Sequence, residues 1–314
     1  MLRIGIIGVG AIGERLLNTF LQHEEVEIAG LCDQNQERLN LFKSQLPDVS
    51  TYTDYRELLK DDKITLIYLA VPPKYHHQIA LDIISTGKHL LCEKPLANSL
   101  AEAEEMASAA KNAGIVHAIN FPMVYSNVFH LYKEKIQSGS IGELKKVEVN
   151  FQFTEWPRQW QQNGWIAGRE QGGFIREVAP HYIQMLQYIL GDLQVTASFA
   201  DYPEDPAKCE TGFISRLETA NGIPVLFNGI SGIGQKEHLS CKVYGEKGTI
   251  DLVNWSILSE SKKDTNSEVL DVSREKQFDL VHELINGTKG EISLLVDFDE
   301  GVKVQRVLED LLHQ

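Results

Sequence analysis

The sequence predicts an α/β fold followed by an α+β fold, namely a doubly wound parallel sheet and then an open, mostly antiparallel sheet. Up to about residue 119, short continuous apolar runs alternate with helical patterns, which is typical of a parallel sheet buried on both faces. After about residue 121 the strands alternate apolar and polar residues, as in LKKVEVNFQF. Because 314 residues exceed what one core usually holds, we expect two domains, at 1–121 and 122–314.

The first domain is predicted to contain five strands joined by helices. The strand candidates are LRIGIIG, VEIAGLCD, ITLIYLAV, HLLCE and IVHAIN. Helices are predicted near residues 13–23, 36–46, 54–60, 75–86 and 99–113. Ser99 and Glu102 form a capping box at the start of the last helix. This alternation of strands and helices predicts the doubly wound sheet.

The second domain is predicted to contain an open sheet of about five or six strands. Besides LKKVEVNFQF, the strand candidates are 193–200, 209–219, 223–230, 239–244 and 249–259. Asn221-Gly222 separates two of these runs and predicts a hairpin turn. Helices are predicted near 126–138, 172–190, 274–286 and 298–312.

Charge and cysteine usage exclude several classes of partner. There are 30 Lys and Arg against 44 Asp and Glu, a formal net charge of -14, which repels phosphate backbones and anionic lipids. We therefore expect neither nucleic acid nor a membrane as a partner, and no apolar run approaches the roughly 20 residues that span a bilayer. The cysteines are scattered without a CxxC pair: Cys32, Cys92, Cys209 and Cys241. This pattern predicts buried thiols, a cytoplasmic location and no metal site.

A glycine-rich turn follows the first predicted strand and opens the first predicted helix. It reads Gly8-Val9-Gly10-Ala11-Ile12-Gly13. Gly8 permits a tight turn, Gly10 allows the backbone to approach a pyrophosphate, and Gly13 allows close helix–strand packing. The helix start, with Ala11 and Ile12, offers amides and a positive dipole end to phosphates. This context favours a Rossmann dinucleotide site over a glycine-rich turn without a ligand.

Asp33 ends the second predicted strand, where a carboxylate can bind the adenosine ribose hydroxyls. An acidic side chain there repels a 2'-phosphate, so we expect NAD, with NADP still possible. Asp33 could instead simply initiate a turn, and Arg38 could offer a phosphate contact.

The segment Cys92-Glu93-Lys94-Pro95 ends the fourth strand candidate, on the edge where open α/β sheets bind ligands. The Lys94 ammonium can polarise a substrate hydroxyl and help to manage its proton. The alternative is a solvated lysine before a turn proline.

The segment GGFIREVAPH leads into an amphipathic helix. Glu177 and His181 are four residues apart, so one helix through both would place them on one face. Pro180 lacks an amide hydrogen and predicts a helix start near 177–179. His181 could then act as a general base oriented by Glu177. A capping glutamate and a structural histidine are the alternative.

The loop TEWPRQWQQNGWIAGREQ contains three of the four tryptophans. Trp160 and Trp165 could stack on a sugar ring while Arg169 binds a carboxylate or phosphate. They could equally pack beneath the loop or at a subunit contact. Tyr125, near the junction of the domains, is a further candidate for contact with substrate.

Together these segments resemble the glucose-fructose oxidoreductase, inositol dehydrogenase and rhizopine-catabolism family (Gfo/Idh/MocA) over the whole chain. The stretches that carry the resemblance are GVGAIG, the CD that ends the second strand, AVPPKYHHQIALDIISTGKHLLCEKPLA and QGGFIREVAPH. The family more often has aspartate where Glu177 stands. The longer side chain bears on substrate geometry and could mark a subgroup with a different substrate or weakened activity.

The resemblance implies particular roles for residues of this chain. Lys94 would be the catalytic lysine and His181 the general base, with Glu177 at the substrate-orienting position. Pro72 and His76 match the family's P-x-x-x-H turn at the cofactor, and Glu93 of the EKP motif joins them there.

The function that the resemblance implies is NAD-dependent hydride transfer from a secondary alcohol of a sugar, cyclitol or sugar derivative. Homodimers or homotetramers are expected. Two alternatives stay open, namely an NAD-using glycoside hydrolase of the same fold and a non-catalytic dinucleotide-binding sensor.

Overall fold

The structure is a computed structural model that describes residues 1–161, 164–273 and 279–313. Residue contacts group the chain into two compact units. The first contains Met1–Asn120 and Leu280–Val302, and the second contains Phe121–Asp279 and Lys303–Gln314. The domain division expected at 121 and 122 stays a prediction, since the contacts also assign a C-terminal segment to the first unit.

The first unit contains a six-stranded, fully parallel sheet. Its strands are β1 (Leu2–Ile7), β2 (Val26–Cys32), β3 (Ser50–Tyr52), β4 (Leu66–Leu69), β5 (His89–Cys92) and β6 (His117–Ile119). Their spatial order is β3-β2-β1-β4-β5-β6. The strands β2 and β3 therefore lie on one side of β1, and β4, β5 and β6 lie on the other. The expected doubly wound sheet is confirmed. The strand β3 was not predicted. It has only three residues, lies at the edge of the sheet and is partly exposed, so its sequence contains no continuous apolar run.

Five helices connect these strands, and all five predicted helices are confirmed within a few residues. They are α1 (Ala11–Phe20), α2 (Gln36–Gln45), α3 (Tyr55–Leu59), α4 (His76–Ser85) and α5 (Leu100–Ala113). Ser99 caps α5, where its side chain accepts the amide hydrogen of Glu102 at 3.3 Å. The helix ends at Ala113 and is capped by Gly114, whose φ of 65° lies in the left-handed region that glycine adopts without strain.

The second unit contains an open eight-stranded sheet. Its strands are β7 (Leu144–Phe153), β8 (Leu193–Asp201), β9 (Gly212–Thr219), β10 (Pro224–Ser231), β11 (His238–Gly245), β12 (Gly248–Val253), β13 (Ile257–Lys262) and β14 (Glu268–Val269). The order is β14-β13-β12-β11-β7-β10-β9-β8, and the pair β7–β10 is parallel while the other neighbours are antiparallel. The hairpin at Asn221-Gly222 is confirmed between β9 and β10.

The predicted count of five or six strands was too low. The run 249–259, expected as one strand, is the hairpin β12–β13, because the chain turns back after Val253 through two left-handed residues. The short edge strand β14 was also missed.

The remaining helices are α6 (Asn127–Gln137), α7 (Phe174–Glu177), α8 (Ala179–Leu190), α9 (Leu280–Thr288) and α10 (Phe298–Leu312). The helix expected at 172–190 is two helices. Pro180 cannot donate a hydrogen bond to the Arg176 carbonyl, so the helical ladder is interrupted and restarts at Ala179. Of the helix expected at 274–286, residues 274–278 lie outside the described part of the chain.

One face of the second sheet packs against α8 through aromatic side chains. Along β7 the buried residues alternate with partly exposed ones, and the Phe151 ring lies 5.1 Å from that of Tyr182 on α8. All four cysteines are buried thiols, as expected. Among the described residues, no helix is both long enough and apolar enough to cross a bilayer.

Candidate functional site

The glycine-rich turn joins β1 to α1, and its glycines are required by close approaches. Gly8 has a φ of 92°, and a Cβ on it would lie 2.4 Å from the Ala70 carbonyl oxygen. A Cβ on Gly13 would lie 2.0 Å from the Gly8 carbonyl oxygen. Gly10 differs, because a Cβ there would meet nothing within 4 Å. Protein packing therefore explains Gly8 and Gly13, whereas the space beside Gly10 is open.

The start of α1 provides hydrogen-bond donors at the same place. Gly10 is the N-cap residue, and no side chain caps the helix. The first-turn amides of an α-helix have no intrahelical acceptor, and the helix dipole favours an anion there. Ala11 and Ile12, the first two helical residues, are exposed. These features fit the pyrophosphate of a dinucleotide.

Asp33 lies at the end of β2 beside this turn. Its Oδ2 accepts the Val9 amide hydrogen at 2.9 Å, and its Oδ1 accepts that of Asn35 at 2.9 Å. Each oxygen keeps acceptor capacity for a hydroxyl group. The carboxylate is thus fixed at the turn and can bind ribose hydroxyls.

Arg38 on α2 reaches the same turn but is already engaged. Its Nε donates to the Val9 carbonyl, and its Nη2 lies 2.8 Å from Glu14 Oε2 on α1. The guanidinium that could contact a phosphate is therefore shared with a carboxylate.

Glu93 follows β5 and belongs to a buried hydrogen-bond network. Its Oε1 accepts hydrogen bonds from Tyr68 Oη and Asn120 Nδ2, both at 2.6 Å. Burial raises the pKa of Glu93, and the two hydrogen bonds partly oppose that rise. Asn120 Oδ1 is buried without a hydrogen-bond partner among the described residues, so it remains available to a donor.

His76 connects two loops at the carboxyl edge of the sheet. The ring is fully buried, with Nε2 2.8 Å from the Val71 carbonyl oxygen and Nδ1 3.0 Å from that of Pro95. Burial lowers the pKa of this histidine. Nδ1 also lies 3.2 Å from the Leu96 carbonyl oxygen and 3.6 Å from Cys92 Sγ, so both ring nitrogens face backbone carbonyl oxygens. A role for His76 at the cofactor would accordingly be to position the loop that carries Lys94.

Lys94 and Pro72 lie in the two loops that His76 connects. Lys94 is half-buried directly after Glu93, and the Lys94–Pro95 peptide is cis. Pro72 precedes a short 3-10 helix, Pro73–Tyr75, and its carbonyl accepts the Tyr75 amide hydrogen at 3.0 Å.

Glu177 and His181 lie at the junction of α7 and α8. Glu177 is the last residue of α7, and His181 is in the first turn of α8, where its amide donates to the Val178 carbonyl at 3.2 Å. Both side chains are half-buried. The continuous helix on which we expected them is therefore absent, although both remain at the start of α8.

The His181 imidazole lies between two aromatic rings. The Phe121 ring is 5.7 Å away at 89°, and the Trp255 ring is 5.6 Å away at 82°. Trp255 was not predicted as a site residue, because residues 249–259 were predicted to form a single strand. Asn254 and Ser256, which favour turns, were the signal for a turn there.

Glu210 is a second residue near this junction that the sequence did not predict. It is 3% exposed, and its Oε1 accepts the Ile175 amide hydrogen at 2.7 Å at the start of α7. Burial raises the pKa of Glu210. A Cβ on Gly173 would lie 2.2 Å from this carboxylate, so only glycine at position 173 leaves room for the Glu210 side chain. Glu210 thus caps the helix that ends at Glu177.

The tryptophan-rich loop is organised around Arg158. Its guanidinium carbon lies 4.9 Å, 5.3 Å and 5.9 Å from the ring centroids of Phe153, Trp156 and Trp160. It also donates twice to Glu237, at 2.8 Å and 3.0 Å. Trp156 is half-buried against Phe153 and Phe174, with ring centroids 4.9 Å and 5.7 Å away, whereas Trp160 is 61% exposed.

The other substrate candidates differ in exposure. Trp165 is half-buried in the 3-10 helix Gly164–Ala167, and Tyr125 is buried at the end of another, Pro122–Tyr125. Arg169 is exposed and lies 3.7 Å from the centroid of the Tyr202 ring. Within the described residues, no group of three or more His, Cys, Asp or Glu side chains could hold a metal ion.

Comparison with protein families assigns this architecture. The model of the Gfo/Idh/MocA oxidoreductase family with an NAD-binding Rossmann fold matches residues 2–121, and that of the family's C-terminal alpha/beta domain matches residues 133–313. The chain belongs to this family. The fold class and the resemblance seen in the sequence are confirmed.

Curated relatives of this Gfo/Idh/MocA chain include dehydrogenases of cyclitols and sugars. It is 26% identical to myo-inositol 2-dehydrogenase of Thermotoga maritima over 64% of this chain and 58% of that enzyme. It is 30% identical to levoglucosan dehydrogenase of Pseudarthrobacter phenanthrenivorans over 54% of this chain and 44% of that enzyme. The chain spans less than two thirds of either relative.

Solved structures share the fold over nearly the whole chain. A levoglucosan dehydrogenase in complex with NADH has a TM-score of 0.83 at 19% identity, covering 99% of this chain and 96% of that one. A 3-ketoreductase from Actinomadura kijaniata in complex with NADP has a TM-score of 0.86 at 17% identity, with the same coverage of 99% and 96%.

Proposed function

We propose that this chain is an NAD-dependent oxidoreductase that transfers a hydride between a secondary alcohol of a sugar, cyclitol or sugar derivative and the nicotinamide. The Gly8–Gly13 turn carries the proposal, because the space beside Gly10 and the uncapped start of α1 suit a pyrophosphate. Membership of an oxidoreductase family supports the reaction class. The named relatives support a small polar ring as substrate.

The proposed chemistry divides between three side chains. Bound NAD supplies the hydride acceptor. His181 accepts the proton of the reacting hydroxyl, since imidazole exchanges protons near neutral pH. The Lys94 ammonium donates a hydrogen bond to that oxygen and stabilises the negative charge that develops on it. Glu177 orients His181 or a neighbouring hydroxyl of the substrate.

The cofactor is proposed to be NAD rather than NADP. The Asp33 carboxylate is held beside Val9 and would repel a 2'-phosphate. Arg38, the nearby cation, is paired with Glu14 and offers less attraction to that phosphate.

The oligomer is proposed to form through the outer face of the second sheet. An outer patch on β8, β9 and β10 consists of Phe199, Ile214 and Ile230, which are 73%, 62% and 42% exposed. Phe199 lies directly opposite Ile214 in the ladder. Arg216 and Glu218 follow on the same face of β9 and form an ion pair with each other at 3.0 Å, so no unpaired charge of theirs opposes a pairing of identical sheets. We propose that a second copy of this chain covers the patch in a homodimer or homotetramer.

The test combines cofactor binding with turnover. Thermal shift is measured with NAD and NADP, and NADH absorbance is followed with a panel of sugars, inositols and sugar acids. We expect NAD to raise the melting temperature and one substrate class to produce NADH. His181→Asn should lower kcat by about 10²-fold or more while NAD binding is kept, and Lys94→Met should also lower kcat.

Matched controls identify a specific effect. His77→Asn changes a surface histidine of the first unit that is hydrogen-bonded to Glu105, and Lys60→Met changes an exposed lysine. Both should retain turnover within twofold. Near-normal turnover of His181→Asn would contradict the proposed mechanism.

Two other results would favour the alternative functions. Release of free sugar without net NADH production would indicate a glycoside hydrolase, and tight NAD binding without any turnover would indicate a sensor.

A further inference from the structure

Trp255 lies at the tip of the β12–β13 hairpin, against the start of α8. Its ring centroid is 5.6 Å from that of His181 and 4.6 Å from that of Tyr182. Tyr182 is fully buried, whereas Trp255 is only half-buried. The indole therefore packs on the core and on the imidazole with part of its surface and leaves another part exposed to solvent.

The backbone at this tip is unfavourable for a large side chain. Asn254 and Trp255 have φ values of 47° and 67°, in the left-handed region where hairpins usually place Asn-Gly. Bulky residues rarely adopt that region, and those that do are held there by their surroundings, often at functional sites. Here Asn254 provides the restraint, since its amide donates to the Leu239 carbonyl and its Oδ1 accepts the Leu239 amide hydrogen, both at 2.9 Å.

The hairpin tip shares one end of the sheet with the tryptophan-rich loop. That loop leaves the end of β7 at Phe153, which pairs with Ser231 at the end of β10. The next connection, between β10 and β11, carries Glu237, the partner of Arg158. Three connections and the start of α8 thus meet at one end of the second unit, and exposed tryptophan surface lies among them.

We propose that Trp255 is a substrate-contacting residue that stacks on the apolar C–H face of a sugar or cyclitol ring beside His181. This inference rests on the proposed function, because it takes the substrate to be a polyol ring. Pyranose and cyclitol rings present C–H groups on their faces and hydroxyl groups at their rims. Stacking one face on the indole fixes the plane of the ring, so it determines which rim hydroxyl meets the imidazole.

The kinetic test separates binding from chemistry. With the substrate found in the panel, Trp255→Ala should raise its KM about tenfold and change kcat much less, while the KM for NAD stays within twofold. Trp255→Phe should recover most of the loss, because an aromatic face remains. Ile257→Ala, an exposed change in the same hairpin, is the matched control and should leave both KM values within twofold.

A binding test works without turnover. The NAD-saturated protein is titrated calorimetrically with myo-inositol and with levoglucosan, in the wild type and in Trp255→Ala. We expect Trp255→Ala to weaken binding about tenfold for whichever ring binds the wild type. If that binding is unchanged, or if neither ring binds the wild type, the inference is overturned.

The two proposals fail in distinguishable ways. Oxidation of a polyol with an unchanged KM in Trp255→Ala would overturn the inference and leave the oxidoreductase proposal in place. Binding of a ring that depends on Trp255, without any NADH production from any compound of the panel, would support the inference and overturn the oxidoreductase proposal.

Discussion

A single ion pair governs the positive charge available beside Asp33. Arg38 is held by the Val9 carbonyl and by Glu14 Oε2, so its guanidinium is partly neutralised. We expect Glu14→Gln to strengthen NADP binding about fivefold, because the unpaired guanidinium gains a charge-assisted contact with the 2'-phosphate. NAD binding should change less than twofold. Calorimetric titration of both dinucleotides measures the effect.

The control is the double variant Glu14→Gln, Arg38→Met, in which the gain in NADP binding should disappear. An equal change in NAD and NADP affinity would show that Glu14 acts only through the packing of α1.

The sequence indicated both Asp33 and Arg38, but it did not indicate that Arg38 is paired with a carboxylate while Asp33, among the described residues, is not paired with a cation. That difference depends on Glu14, which lies 24 residues from Arg38 along the chain and meets it only in the folded first unit.

At the scale of elements, the β1–α1 turn offers two matched substitutions. Gly13→Ala should lower the free energy of unfolding by about 2 kcal/mol, because the new Cβ would lie 2.0 Å from the Gly8 carbonyl oxygen. Gly10→Ala should change stability little, since its Cβ meets nothing within 4 Å, yet weaken NAD binding about tenfold or more. Urea unfolding and NAD titration of both variants check this, and normal NAD affinity in Gly10→Ala would contradict the proposed pyrophosphate position.

The elements also show where patterns in the sequence are sufficient. The strand β5 and its EKP loop were predicted from one continuous apolar run and a proline, because both signals are local. The break between α7 and α8 was missed, although Pro180 was recognised as a first-turn residue. The reason lies in α7, a single turn whose first amides are capped by Glu210, 35 residues away in the sequence.

At the scale of the whole molecule, the outer patch makes the assembly testable. Ile214→Lys should convert the proposed dimer or tetramer to a smaller species in light scattering at micromolar concentration, because the lysine would be buried against an apolar surface. Arg15→Lys conserves charge on the other unit and serves as the control. A wild type that is monomeric at every concentration would contradict the proposal.

The sequence by itself determined the two sheets and most of the helices, and it indicated most residues of the proposed site. Gly8, Asp33 and Lys94 follow the ends of strands, and Gly10 and Gly13 lie at the start of the helix after β1. Strand ends are visible in the sequence as apolar runs followed by residues that break them. Tertiary structure alone revealed the partners Glu14, Glu210 and Trp255. Each acts on a residue distant in sequence, through a carboxylate or an aromatic ring whose position depends on how helices and hairpins pack. Local periodicity carries no information about such contacts.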